Sequence, residues 1–343
     1  MSNLPTLPAG DASFVSIREN NCLYVDKTRY IAQMIQEGSY YFLARPRRFG
    51  KSLTISTFQA LFSGRKDLFV GLDIEKYLDN EKFLPGPVIC LDMSGALVKD
   101  GIDGMNRRIK NFLAKIARDN HVELCGEDVD IIFSNLITDL HEKYGKVIIL
   151  VDEYDYPVID AMRKKMDIEI IKNNLRDFFT QIKINRESIR FVFLTGVSRF
   201  SRMGIFSALN NIDDISLQKD YGTMLGYTHE EIVTKFESYI EESAKALKTN
   251  SCDLINNIRD YYDGFCFDGE DCVYNPYSTL LFFRHKDFER FWFVSGTPSI
   301  VAEHIKRNKV TVEQFKEMKI TKSFAQEPGE LNESSTASYL YQS

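Results

Sequence analysis

The chain has 343 residues, 44% of them hydrophobic and 27% charged, enough for two compact domains with an ordinary globular core. Its net charge of −6 argues against a broad duplex-DNA footprint, which needs a clustered basic face, although a local basic patch would still fit. The longest unbroken apolar runs have five residues, where a membrane helix needs about 20, and Met1-Ser2-Asn3-Leu4-Pro5 opens without the basic and apolar segments of a secretory signal.

The expectation is therefore a soluble, cytoplasmic protein. Its six cysteines form no Cys-x-x-Cys pair and the five histidines do not gather near them, so reduced, mostly buried thiols are expected rather than a metal site. Cys266 and Cys272 are the one close pair.

In chain order, the first apolar run is Tyr40–Ala44, followed by Arg45-Pro46-Arg47-Arg48-Phe49-Gly50-Lys51-Ser52 and a helical stretch over 53–62. Strand, loop, Gly-Lys-Ser, helix is the arrangement of a phosphate-binding loop. The backbone N–H groups of Arg47, Arg48, Phe49, Gly50, Lys51, Ser52 and Leu53 would face a nucleotide triphosphate, helped by the helix dipole. Lys51 can reach the β- and γ-phosphates, and the Ser52 hydroxyl can ligate Mg²⁺. One departure stands out: the position of the first glycine of such a loop holds Arg45, costly if the backbone there needs positive φ. Arg45, Arg47 and Arg48 add positive charge beside the cradle. On the tripeptide alone, a basic surface turn explains the segment equally well.

Further apolar runs at 88–91, 147–151 and 191–194, with a weaker one at 214–217, read as strands buried on both faces. Amphipathic stretches at 102–118, Val129–Tyr144 and 168–183 lie between them. This alternation predicts an α/β fold, a doubly wound parallel sheet with right-handed crossovers. The third run ends in Asp152-Glu153, at the carboxyl edge where α/β sheets bind ligands. Asp152 would hold Mg²⁺ through its waters, and Glu153 would orient or deprotonate the attacking water. A solvated strand end is the plain alternative, but the order of the two motifs in one sheet favours the catalytic one. After the next run, Thr195 is placed to sense the γ-phosphate or the water, or equally to cap the following turn. Arg199 or Arg202 could supply charge to a transition state, or serve in a structural ion pair.

From Gly226 the pattern changes. Thr228 and Glu231 form a capping box, helix is expected to about residue 247, and the aromatic clusters beyond read as core packing. The expected division is a nucleotide-binding domain at 1–225, a mainly helical lid or winged-helix-like module at 226–325, and a linker with the truncated start of a further element at 326–343. Lys306, Arg307 and Lys309 offer a small basic cluster for nucleic acid, more simply read as a solvated helix end.

Taken together the motifs resemble the AAA-ATPase-like family of bacterial P-loop proteins. The matching residues are Tyr24-Val25-Asp26-Lys27-Thr28, Arg45 to Leu53, Val151-Asp152-Glu153-Tyr154-Asp155 and Thr195-Gly196-Val197-Ser198. Farther on they are Ser207 to Asn211, Gly226-Tyr227-Thr228, Tyr262-Asp263-Gly264-Phe265, Tyr274 to Ser278, and Trp292-Phe293 before Gly296-Thr297-Pro298-Ser299. The resemblance accounts for Arg45, since a loop without the first glycine is usual in that family. It implies ATP and Mg²⁺ as cofactors, and often a PD-(D/E)xK nuclease-like domain farther along. The only Glu-x-Lys near the end, Glu317-Met318-Lys319, reads as a solvated helical face, so no nuclease activity is expected of these residues. The function expected is a Mg-dependent ATP hydrolase acting as a switch for a further effector domain. The alternatives are an interaction module with little hydrolysis and a nucleic-acid-associated ATPase.

Overall fold

A computed structural model describes residues 4–197, 211–289 and 291. Five strands, β1 (Tyr40–Ala44), β2 (Val88–Asp92), β3 (Val147–Asp152), β4 (Ile189–Gly196) and β5 (Asp213–Asp214), form one parallel sheet in the order β2-β3-β4-β1-β5. Alternate strand residues point to opposite faces. Ile148, Leu150, Phe191 and Phe193 accordingly feed one core, under α1 (Phe14–Glu19), α2 (Thr28–Glu37) and α3 (Lys51–Phe62). Ile149, Val151, Val192 and Leu194 feed the other, under α4 (Gly101–Asp119), α5 (Val129–Tyr144), α6 (Tyr156–Arg163) and α7 (Ile168–Ile184). The sheet is thus doubly wound, as the strand and helix periods predict.

The weak run expected at 214–217 pairs as a strand only over Asp213–Asp214. Beyond it Ile215 N–H still donates to the Phe42 carbonyl of β1 at 3.0 Å, and Ser216 bonds the last residue of β1 and the first of the loop. The Ser216 hydroxyl accepts from Ala44 N–H at 2.8 Å, and its carbonyl accepts from the Arg45 guanidinium.

A third core is built by α8 (His229–Lys235), α9 (Glu237–Leu247), α10 (Ser251–Tyr262) and α11 (Pro276–His285), joined by Leu7 and Val25 from the start of the chain. The capping box predicted at Thr228 and Glu231 opens α8. The continuous helix expected to 247 breaks at Phe236, which leaves helical geometry (φ −110°, ψ 12°) and packs its buried ring against Tyr227 and Phe283. Asn250 and Asn275 cap α10 and α11 with their side chains, and Pro276 sits at the first turn of α11, where it needs no N–H partner.

Cys266 and Cys272 are joined by a disulfide, so the expectation of six free thiols does not hold. The backbone pairing of Phe265 with Val273 closes a short hairpin that brings the two together. Cys22, Cys90, Cys125 and Cys252 are free. No helix among the described residues is long and apolar enough to cross a membrane. Arg199, Arg202, the basic cluster at 306–309, Glu317 to Lys319 and the segment 326–343 lie outside the described residues, as do the matched motifs at 207–210, 292–293 and 296–299.

Candidate functional site

The loop after β1 is shaped by side chains as much as by glycine. Arg45 is 1% exposed; its guanidinium donates to the carbonyls of Ala44, Ser216 and Tyr221 and lies 4.0 Å over the Phe267 ring. Its φ is negative, so the steric cost anticipated at this position does not arise, and its charge is committed to the scaffold rather than to the cradle. The left-handed positions are instead Arg48 (φ 68°) and Gly50 (φ 98°). A Cβ at Gly50 would meet open space, so glycine is favoured there for its backbone angle alone. Phe49 is buried edge-on against Phe265 and Phe267, at 4.8 and 5.4 Å, and Arg48 lies 4.7 Å over Tyr277. The loop therefore rests directly on the helical region.

Lys51 begins α3 and turns its ammonium back into the loop, donating to the carbonyls of Arg45 (2.9 Å) and Pro46 (3.0 Å). Burial lowers its pKa, opposed by the carboxylates of Asp152, Glu153 and Asp155. The Nε of Arg47 is buried without a hydrogen-bond partner among the described residues, and Ser52 is exposed on the cavity wall.

The ends of β3 and β4 are stitched together. The Thr195 hydroxyl, fully buried, donates to Asp152 Oδ1 at 2.6 Å, and that oxygen also accepts from Glu153 N–H at 3.0 Å. Thr195 was expected to sense the γ-phosphate or the water, or to cap the following turn; its hydroxyl bonds a carboxylate. Tyr154 N–H donates to the Thr195 carbonyl at 2.9 Å, and the buried Asp155 carboxylate accepts from Val197 N–H at 3.1 Å. The approach is close enough that a Cβ at Gly196 would stand 2.6 Å from the Tyr154 ring. Glu153 itself sits in the left-handed region (φ 49°), an uncommon conformation for a residue with a side chain and one that turns it out of the strand. Burial raises its carboxyl pKa, with Lys51 opposing. Because β4 lies between β1 and β3, the sheet itself brings Lys51, Asp152, Glu153 and Thr195 to one edge.

A cavity of about 480 Å³ opens over this edge, within the range for a small-molecule ligand. The loop residues Arg47 to Thr54, together with Glu153, Tyr156 and Arg163, line one part of it. Leu23, Val25, Ile31, Leu225 and Leu280 supply an apolar part, and Tyr227 and Tyr277 bring in the helical region. These apolar residues and Arg163 were not legible as site residues. Only the run Tyr24 to Thr28 signalled the first segment, and it did so as a matching motif without a role.

The residues fit a magnesium nucleotide. Arg47 Nε has an unmet hydrogen bond in the cavity wall; Asp152 Oδ2 accepts none among the described residues, although Asp152 is buried beside Glu153 and does not itself line the cavity. No group of three or more His, Cys, Asp or Glu among the described residues could cage a metal. Mg²⁺ needs no such cage, since it is commonly held by one or two carboxylates, waters and the nucleotide itself.

A family model described as Predicted AAA-ATPase matches residues 8–206. The chain is 34% identical over 299 residues to the "Uncharacterized protein in vnfD 5'region" of Azotobacter chroococcum mcd 1, covering 87% of this chain and 55% of that protein. It thus spans about half the length of that relative. Among solved structures, the Aeropyrum pernix ORC1 protein in complex with DNA overlaps 87% of this chain and 72% of its own, at 12% identity and a TM-score of 0.37. A likeness that loose carries no argument.

Proposed function

This chain belongs to the AAA-ATPase-like family of predicted AAA-ATPases, a family of ATP-binding P-loop proteins, and from that premise we propose that it hydrolyses ATP with magnesium and uses the cycle as a switch. The observation that carries the hydrolytic reading is Glu153. It is held out of the strand by a left-handed backbone, its proton affinity is raised by burial, and it lines the same cavity as Lys51. A carboxylate of raised pKa is a better base at neutral pH, and such a group typically contributes about 10² to 10⁴ in rate. In this reading Glu153 orients and deprotonates water, and Lys51 leaves its two loop carbonyls to neutralise phosphate charge. Asp152, fixed by the Thr195 hydroxyl, and Ser52 hold the magnesium site. When bound, Mg²⁺ would supply neutralisation of phosphate charge.

The switch reading draws on the loop contacts. Phe49 and Arg48 touch Phe265, Phe267 and Tyr277 directly, so a change in loop geometry is felt by the helical region without an intermediary. The division proposed is a nucleotide-binding domain at 1–225, a mainly helical lid or winged-helix-like module at 226–325 and a linker at 326–343, with the effector being the nuclease-like domain that the family resemblance implies.

The test is ligand-linked stability. Mg-ATP at about 100 times its dissociation constant adds roughly 2.7 kcal/mol, which raises the melting temperature of a protein this size by a few degrees. Lys51→Ala should remove most of that shift. An unchanged melting curve for the parent at millimolar Mg-ATP overturns the assignment.

A further inference from the structure

Five cationic side chains line the cavity: Lys27, Arg47, Arg48, Lys51 and Arg163. Three have partners. Lys27 is ion-paired with Glu231 at 2.7 Å and donates to the Thr223 carbonyl at 3.0 Å; Arg48 lies over Tyr277; Lys51 is held by two carbonyls. Arg47 belongs to the phosphate loop itself. Arg163 comes from a different element and makes no hydrogen bond, ion pair or ring contact among the described residues.

Its position is set by α6. This helix starts three residues after Glu153, and Tyr156 and Arg163, seven residues apart, fall on one face two turns distant; both line the cavity. The opposite face is anchored, with Val158 and Ala161 buried in the sheet core. Asp160 accepts from Val98 N–H at 3.1 Å and from Lys164 Nζ at 2.7 Å, so the neighbouring cation is engaged while Arg163 is not. The helix is a fixed pedestal holding a guanidinium without a partner among the described residues on the wall of the cavity that Glu153 also lines.

That side has an electrostatic deficit. Glu153 lines it, its chain neighbours Asp152 and Asp155 are buried, and the cations acting on Glu153 are Lys51 and Arg47, both from the loop. A terminal phosphate brought against the Glu153 carboxylate, with Asp152 and Asp155 buried next to it in the chain, needs positive charge from that side too, and a guanidinium fork matches phosphate oxygens in geometry and charge. We propose that Arg163 contacts the γ-phosphate of ATP and stabilises its charge during hydrolysis. Arg163 then distinguishes triphosphate from diphosphate, a role supplied within this chain rather than by a partner. The proposal rests on the ATP-hydrolase reading above.

The experiment titrates Mg-ATP and Mg-ADP separately into the parent, Arg163→Ala and Arg163→Lys, alongside steady-state turnover. A charge-assisted bond to one phosphate predicts that Arg163→Ala loses about tenfold in ATP affinity with ADP affinity unchanged, so preference for ATP falls by the same factor. Turnover at saturating ATP should fall at least tenfold more, because charge develops in the transition state. Arg163→Lys should recover part of both. Arg163 is exposed, so the nucleotide-free melting temperatures should agree; if alanine lowers it, Arg163→Gln takes its place. Equal weakening of both nucleotides, or no change in either, overturns the γ-phosphate assignment while leaving the ATP site standing. A parent that binds neither nucleotide overturns the ATP site and Arg163's role with it.

Discussion

Replacing Thr195 by valine tests whether β4 holds the Asp152 carboxylate in place and whether that carboxylate serves magnesium as proposed. The substitution keeps the side-chain shape and removes one hydroxyl, fully buried, that donates to Asp152 Oδ1 at 2.6 Å. A hydrogen bond to a charged group is worth about 1.5–3 kcal/mol. The new buried methyl returns roughly 0.8 kcal/mol, and Glu153 N–H remains as the second donor, so the net loss should be about 1–2 kcal/mol. At about 2.1 cal/mol/K per residue, unfolding of 343 residues as one unit has an entropy of about 0.7 kcal/mol/K, and the melting temperature should drop by about 1–3 °C. Asp152 then loses its fixed orientation, so the magnesium concentration needed for half-maximal ATP binding should rise several-fold. Thr195→Ser, which keeps the hydroxyl, should retain the parent's magnesium dependence. The assay is a melting curve with magnesium titrated at fixed ATP. If Thr195→Val keeps the parent's magnesium dependence but loses preference for ATP over ADP, the hydroxyl faces phosphate and the positioning argument is wrong.

Glu153→Gln should bind Mg-ATP like the parent while turnover falls by about 10² or more; equal turnover would remove Glu153 as the base. The same variant tests the electrostatics. Burial raises the folded carboxyl above its ordinary value of 4.5, so its ionised form costs the fold stability at neutral pH, and that cost disappears as pH falls through the raised value. Nucleotide-free Glu153→Gln should therefore melt above the parent at neutral pH, and the gap should close on acidification; a gap that widens instead contradicts the sign. Arg45→Gly, which restores the glycine usual in phosphate loops, should destabilise the chain by about 3 kcal/mol or more, because three carbonyls lose their buried donor. Chemical denaturation would show it, and an unaffected midpoint would mean the guanidinium is dispensable.

The periodicities were legible because burial on both sheet faces makes a strand apolar throughout, and 147–151 and 191–194 read that way without ambiguity. Gly50-Lys51-Ser52 and Asp152-Glu153 were legible for a related reason: phosphate and metal chemistry restricts residue types at short, fixed spacing. Those local signals determined the fold class and the family resemblance. The use made of Arg45 was not legible, since its partners Ser216 and Tyr221 lie some 170 residues away in the chain. Nor was the partner of Thr195, 43 residues from Asp152, because strand order decides which ends of a parallel sheet meet. The apolar wall of the cavity draws on residues near 25, 225 and 280, none of them distinctive alone. Sequence by itself determined the motifs that are short-range along the chain. The orientation of Asp152, the outward turn of Glu153 and the presence of Arg163 on the cavity wall were decided only by tertiary structure, because each depends on neighbours that backbone pairing, not sequence proximity, brings within hydrogen-bond or packing distance.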